Sequence, residues 1–250
     1  MNTKTQESQK SSKTLKSPKT VRFSNNPIVL VIDGEIGAGK TTLIKILTKE
    51  LTNRYNLNVC PIYEPVRKWR AMGVLEMFYQ NIQEKCYEFQ TFTFITRVKS
   101  TIDAVKRNPN ADLYILERSI LTDRYVFVEM LKEQMGPIRM KMYDEWWDMW
   151  HKIMPFEPSA VVYLDTRIED STNRIVERNR KEEQDAVDIN YQRNLKAAHQ
   201  KFISQINYPT PIISSDMMAQ NFITDEEARN SIVEEFYRIY LNEKSKIGKL

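Results

Sequence analysis

Residues 28 to 47 read IVLVIDGEIGAGKTTLIKIL, and no other stretch of the 250-residue chain constrains its fold as tightly. An apolar run rich in β-branched side chains enters a glycine-rich turn, and an apolar pattern of helical period follows at once. The turn carries Gly34, Gly39, Lys40 and Thr41 at the spacing G-x-x-x-x-G-K-[ST]. At a strand-to-helix junction this spacing lets successive backbone amides surround phosphate oxygens, with a lysine to neutralise them and a hydroxyl for magnesium. The ATP-binding residues expected from it are Gly34, Ile36, Gly37, Ala38, Gly39, Lys40, Thr41 and Thr42, with Thr41 also a magnesium ligand.

Short apolar runs recur after this segment and alternate with stretches of helical period. They predict strands near Ile28 to Ile32, Asn58 to Tyr63, Asp112 to Leu116, Ala160 to Leu164 and Pro211 to Ser214. Leu43, Ile46, Leu47 and Leu51 form one helical stripe, and Ile232, Phe236 and Ile239 another. The expected fold class is α/β, a five-stranded parallel sheet flanked by helices. At this length a single domain is expected, over residues 25 to 250.

Residues 1 to 24 differ in kind, with five Lys and one Arg against one Glu. The net charge is +4, so this +5 tail leaves the rest of the chain at −1, which argues against a nucleic-acid-binding body. The tail has the polarity of a disordered, solvated extension, and its cations are spread too widely to favour nuclear import. No apolar run reaches transmembrane length, the first 20 residues lack the apolar stretch expected of a secretory signal, and Cys60 and Cys86 are too few for a disulfide scaffold. A reducing cytoplasmic setting is expected.

In an open parallel sheet, ligands bind at the carboxyl ends of the strands. Those ends carry the loop, Glu64 in YEPVRKW, Glu117-Arg118 in ILERS, and Asp165 after VVYL. A carboxylate at Glu64 can take the proton of a hydroxyl acceptor while neighbouring cations keep it ionised. Asp165 admits two other readings, as a magnesium carboxylate of an ordinary ATPase or as a helix N-cap, and ranks below Glu117 for the metal.

The ordered motifs GEIGAGKTT, EPVRKW, VLEMFY, FQTFTFITRVK, ERSILTDRYVF and RNRKEEQ resemble the deoxyribonucleoside kinases of the deoxycytidine and deoxyguanosine kinase type, over roughly Ile28 to Phe202. The resemblance implies the P-loop kinase fold with a lid at about residues 174 to 187. It implies ATP and magnesium, transfer of phosphate to a deoxynucleoside 5′-hydroxyl, and a homodimer with no nucleic acid or membrane as partner. By the same resemblance Glu64 is the base and Glu117 a magnesium carboxylate, while Arg118 contacts Glu64 and the developing phosphate charge. Arg174, Arg178 and Arg180 are lid cations, and Glu183 with Tyr79 grips the sugar 3′-hydroxyl. Trp69, Gln90, Arg97, Asp123 and Phe127 build the base pocket, and the Arg97 and Asp123 pair favours cytosine or a purine over thymine. Thr93 leaves cytosine, guanine and adenine open.

Two rival readings remain from the sequence. Arg67, Lys68 and Arg70 leave room for a thymidylate-type kinase that accepts a nucleotide phosphate, and the tail leaves room for a non-catalytic ATP-binding switch. Tyr143, Trp146, Trp147 and Trp150 are expected in core or subunit-interface packing. His151 and His199 stand in no motif, and the sequence assigns them no role.

Overall fold

β1 (Ile28–Asp33) is buried along its whole length, and its alternate side chains enter different cores. Ile28, Leu30 and Ile32 face one side, Val29 and Val31 the other, as the twofold period of a strand requires. A continuous apolar strand of this kind belongs in the middle of a parallel sheet covered on both faces. α1 (Lys40–Tyr55) starts at the glycine-rich loop and buries Leu43, Ile44, Leu47 and Leu51 on the first face. Ile44 completes this stripe, and Ile46 is only partly buried at its edge.

The computed structural model describes residues 26–183 and 186–247. The predicted tail at residues 1 to 24, and Gln184 and Asp185 of the predicted lid, lie outside the described residues. After α1 come β2 (Val59–Ile62), α2 (Val66–Ala71), α3 (Val74–Gln80), the long α4 (Ile82–Arg107) and β3 (Leu113–Glu117). A three-residue α5 (Ile120–Thr122) then runs into a π-helical turn at Asp123–Val128, followed by α6 (Lys132–Lys152) and β4 (Ala160–Leu164). The chain ends with α7 (Ile168–Arg178), α8 (Ile189–Gln205), β5 (Ile212–Ile213), α9 (Ser215–Met218) and α10 (Glu226–Ile247).

The five strands pair in the order β2-β3-β1-β4-β5, all parallel, so the predicted α/β class holds. α1 and α10 cover one face, where Ile232, Phe236 and Ile239 meet Leu30 and Val162. α4, the π-helical turn and α8 cover the other through Val105, Val126, Leu195 and Phe202. β5 is shorter than the sequence suggests. The carbonyls of Pro209 and Pro211 accept from the amides of Val161 and Tyr163, but a proline has no amide to return.

A third core joins α2, α3, α4 and α6 at the side of the sheet. The aromatic run on α6 divides here, with Tyr143 buried and Trp147 and Trp150 packed against this core. Trp146 faces outward beside Met142 and Met149, each close to half exposed. α6 kinks at Gly136 (φ 70°, ψ 169°), immediately before Pro137, whose ring cannot continue the hydrogen-bond ladder. Cys60 and Cys86 are buried and unpaired with each other, and no described helix is long and apolar enough to cross a membrane.

Candidate active site

The carboxyl ends of β1, β2 and β3 open into one cleft of about 670 Å³, within the range of small-molecule sites. Its floor is the loop between β1 and α1. Gly34, Gly37 and Gly39 all have positive φ (147°, 83° and 90°), which explains their residue type. Gly37 is the most constrained, because a Cβ there would lie 2.3 Å from the backbone oxygen of Ser171 on α7. Gly37→Ala is therefore expected to push the loop from α7 and lower ATP affinity at least tenfold, about 1.4 kcal/mol, in a calorimetric titration. Gly73→Ala, with φ 70° but open space around it, should leave that affinity unchanged.

Lys40 is buried and donates to the carbonyls of Gly34 (2.9 Å) and Glu35 (2.6 Å), which holds its ammonium under the loop. Burial and the Arg118 guanidinium lower its pKa to about 8, against the pull of Glu64, Glu117 and Asp33. The charged form, the one suited to a phosphate, thus prevails below about pH 8 and is lost above it. Triphosphate affinity should fall as pH rises through this value, with proton uptake on binding; a flat affinity up to pH 10 would contradict it.

Thr41 donates to Glu117 Oε1 at 2.5 Å, which joins the start of α1 to the end of β3. A hydroxyl and a carboxylate are the oxygen donors that magnesium takes, with phosphates and water supplying the rest. Asp165, by contrast, pairs with Lys196 Nζ at 2.6 Å and does not line the cleft. It is not the N-cap of α7 either: that position falls on Arg167, without a side-chain cap.

Glu64 follows β2, and two guanidiniums hold its carboxylate. Arg97 Nη2 donates to Oε1 at 2.7 Å, and Arg118 Nη1 donates to Oε2 at 2.9 Å and to Oε1 at 3.0 Å. Burial works against ionisation, but Arg118, Arg97 and Lys40 outweigh it and bring the pKa of Glu64 down to about 2. Arg118 also donates to the Gly34 carbonyl at 3.0 Å, so one side chain ties the phosphate loop to Glu64. It does so from a left-handed backbone, φ 61°, an uncommon conformation for a residue with a Cβ. Its amide is fixed by the Ile32 carbonyl at 3.0 Å, and its guanidinium lies 5.0 Å from the centre of the Phe127 ring.

Beyond Glu64 the cleft is lined by α3, α4 and the π-helical turn. Arg97 Nε donates to Asp123 Oδ2 at 2.8 Å and Nη2 to Oδ1 at 3.1 Å, a fork matched to a carboxylate, and both side chains are buried. Arg97 therefore contacts Asp123 and Glu64 together, a link that its expected place in the base pocket does not reveal. Trp69 donates its indole N–H to Thr96 Oγ1 at 2.9 Å, which fixes the ring edge-on to Phe89. Gln90, Thr93, Phe127 and Tyr79 line the same chamber.

The segment expected to form a lid, about residues 174 to 187, begins within α7. Arg174 donates to the Met218 carbonyl at 2.9 Å, while its Nη1 is buried without a partner on the side of Gly39. Arg178 and Arg180 both bond Glu183, which is itself buried. Tyr79 and Tyr191 lie close to this carboxylate; burial and its negative charge push the Tyr79 phenol well up. Arg67, Lys68 and Arg70 are exposed and line no part of the cleft. Arg70 instead pairs with Glu182 at 2.9 Å.

Several groups in this region stand in none of the sequence motifs as functional positions. Asp33, Thr122 and His199 form a buried cluster behind the loop, and Gln192 of α8 donates to the Ile36 carbonyl at 2.6 Å. The spacing of Leu195, His199 and Phe202 carries a signal that His199 faces the core, but it names no partner.

The sequence model of a family described as deoxynucleoside kinase matches residues 30–241. A probable deoxycytidine kinase of fowlpox virus (strain NVSL) is 32% identical over 211 residues, spanning 82% of this chain and 85% of that protein. Human deoxycytidine kinase is 25% identical over 69% of this chain and 74% of its own length. The deoxyguanosine kinase of Lactobacillus johnsonii (strain CNCM I-12250 / La1 / NCC 533) is 26% identical over 82% of this chain and 89% of its own.

Proposed function

Since the chain belongs to the deoxynucleoside kinase family and is a deoxyribonucleoside kinase, we propose that its donor is ATP and that it favours deoxycytidine or purine deoxynucleosides over thymidine. The observation that carries the reaction geometry is Arg118, which holds Gly34 of the phosphate loop and Glu64 at once. This contact supports Glu64 as a base beside the place where the loop would present the γ-phosphate.

The nucleoside 5′-oxygen attacks the γ-phosphorus, the bond to the β,γ-bridging oxygen breaks, ADP departs, and the hydroxyl proton passes to Glu64. A carboxylate with a pKa of about 2 is ionised at neutral pH but weakly basic. It gains basicity if Arg97 turns to the base or Arg118 to the phosphate, since each carries away a neighbouring positive charge. Phosphoryl transfer depends chiefly on alignment and charge stabilisation, the part assigned to Lys40, Arg118 and the lid cations Arg174, Arg178 and Arg180. Thr41 and Glu117 would hold magnesium, which offsets charge on the phosphate oxygens when bound.

Tyr79 and Glu183 both line the cleft, which supports their grip on a sugar hydroxyl. The buried Arg97 and Asp123 fork suits a base edge with polar groups, where thymine would set a methyl against charged groups. The exposed positions of Arg67, Lys68 and Arg70 count against an acceptor phosphate beside Glu64. A homodimer fits the outward apolar row Ile138, Met142, Trp146 and Met149 on α6, and a monomer mass by light scattering at micromolar concentration would refute it.

ADP release from Mg-ATP, measured with no acceptor, with each common deoxynucleoside and with each monophosphate, tests the proposal. Stimulation by deoxycytidine or a purine deoxynucleoside, with a 5′-monophosphate identified by mass, is the expected result. Thymidine as the preferred acceptor would overturn the specificity, and stimulation by monophosphates alone would overturn the acceptor.

A further inference from the structure

His199 is fully buried on α8, and both of its ring nitrogens face hydrogen-bond acceptors. Nδ1 lies 2.9 Å from the Leu195 carbonyl oxygen one turn earlier, and Nε2 lies 3.0 Å from Asp33 Oδ1. A carbonyl has no proton to give. Asp33 is held ionised by the charges and donors around it, and its other contacts are donors as well. The Gly34 amide donates to Oδ1 at 2.9 Å, and the Thr122 hydroxyl donates to Oδ2 at 2.6 Å. Thr122 Oγ1 already accepts the Ser119 amide at 3.1 Å, which leaves its proton for Asp33. A neutral imidazole has one N–H and one lone pair, so it would turn a lone pair on an acceptor in a dry interior; the doubly protonated ring satisfies both contacts.

We propose that His199 is a buried imidazolium that, by neutralising Asp33, positions Arg118 for Glu64 and the transferring phosphate. Asp33 Oδ1 stands 3.7 Å from Arg118 Nε, a buried nitrogen without a hydrogen-bond partner. The remaining donors of this guanidinium hold Glu64 and the Gly34 carbonyl. With the charge of His199 removed, the attraction of Asp33 for Arg118 is no longer shared, and closing the gap draws the guanidinium from Glu64. Phe127 gives a second, apolar route, since its ring meets His199 edge-on and underlies Arg118.

The other groups around His199 do not supply the missing proton acceptor or donor. Tyr163 of β4 stacks on the imidazole, but its hydroxyl is bonded to Glu35 at 2.5 Å. Burial opposes ionisation of Asp33, yet His199, Arg118 and Thr122 hold its carboxyl well below the usual range. This cluster spans β1, the end of β3, α5 and α8, so it braces the loop from behind through the Gly34 amide.

The role assigned to Arg118 rests on the reaction proposed above, whereas the protonation state of His199 does not. The chain has two histidines, His151 and His199, so ¹⁵N-histidine labelling of the full chain with His151→Gln for assignment gives an unambiguous spectrum. At pH 7.5 both ring nitrogens of His199 should show protonated shifts with attached hydrogens; one unprotonated nitrogen overturns the proposal. In kinetics, His199→Gln keeps a donor without the charge and should lower kcat about tenfold with KM values for ATP and nucleoside within about twofold. Removing the opposing charge as well, in Asp33→Asn with His199→Gln, should recover most of that loss. A folded His199→Gln with unchanged kcat, or a double variant no better than the single, overturns the positioning role. If His199→Gln does not fold, recovery of folding and kcat by the double variant supports the charge balance, and failure to recover refutes it.

Discussion

Glu64→Gln is expected to lower kcat by about 10²- to 10⁴-fold, the usual contribution of a positioned base. Nucleoside affinity should change far less. The amide retains the shape and an acceptor for one guanidinium, so Arg97 and Arg118 remain near their places, but it cannot take the hydroxyl proton. Steady-state kinetics with the preferred nucleoside, beside a direct binding titration, separates the two effects. An unchanged kcat would remove Glu64 from the role of base. Because its pKa is held at about 2, Glu64 in the free protein should impose no acid limb on kcat/KM above about pH 4.

The second large effect concerns the acceptor base. Replacing both members of the buried fork, as in Arg97→Leu with Asp123→Ala, should raise the thymidine to deoxycytidine ratio of kcat/KM on the order of tenfold or more, since charge-assisted bonds to the polar base edge are lost. The pair has to be removed together. Arg97→Leu alone leaves Asp123 buried near Glu64 without its counter-charge, and loss of one partner from a buried pair costs about 3–5 kcal/mol of stability. Burial and the Glu64 charge already push the Asp123 carboxyl up against the pull of Arg97, so the single variant should unfold at lower denaturant and the double variant recover part of the loss. Competition between thymidine and deoxycytidine reads the specificity, and an unmoved ranking would refute this account of the pocket.

Legibility differed from residue to residue for reasons of sequence distance. The phosphate loop was plain because its function is local: a strand, three glycines, Lys40 and Thr41 within a few residues supply the amides and the charge. Glu64 and Glu117-Arg118 stood out because they end apolar runs, and strand ends in a parallel sheet face the ligand. The fifth strand was overextended at both ends, because Pro211 accepts a sheet bond without an amide to return one and Ser214 caps α9. Core or interface packing was readable from the aromatic run on α6, but not its division, in which Trp146 turns outward while Tyr143, Trp147 and Trp150 meet the third core. His199 was passed over because a histidine on an apolar helix face carries no mark of its partner.

By itself the sequence determined the layered α/β class, the phosphate loop and the strand ends that carry charged side chains, because periodicity and local spacing encode these directly. The tertiary structure decided which charges meet. Placing β3 between β1 and β2 sets Arg118 against both Gly34 and Glu64, and brings Arg97 of α4 onto Glu64 and Asp123. Packing α8 under the sheet sets His199 on Asp33, 166 residues away in the chain. Such contacts depend on strand order and helix placement, which are settled by the mutual fit of buried surfaces and leave no periodic trace in the sequence.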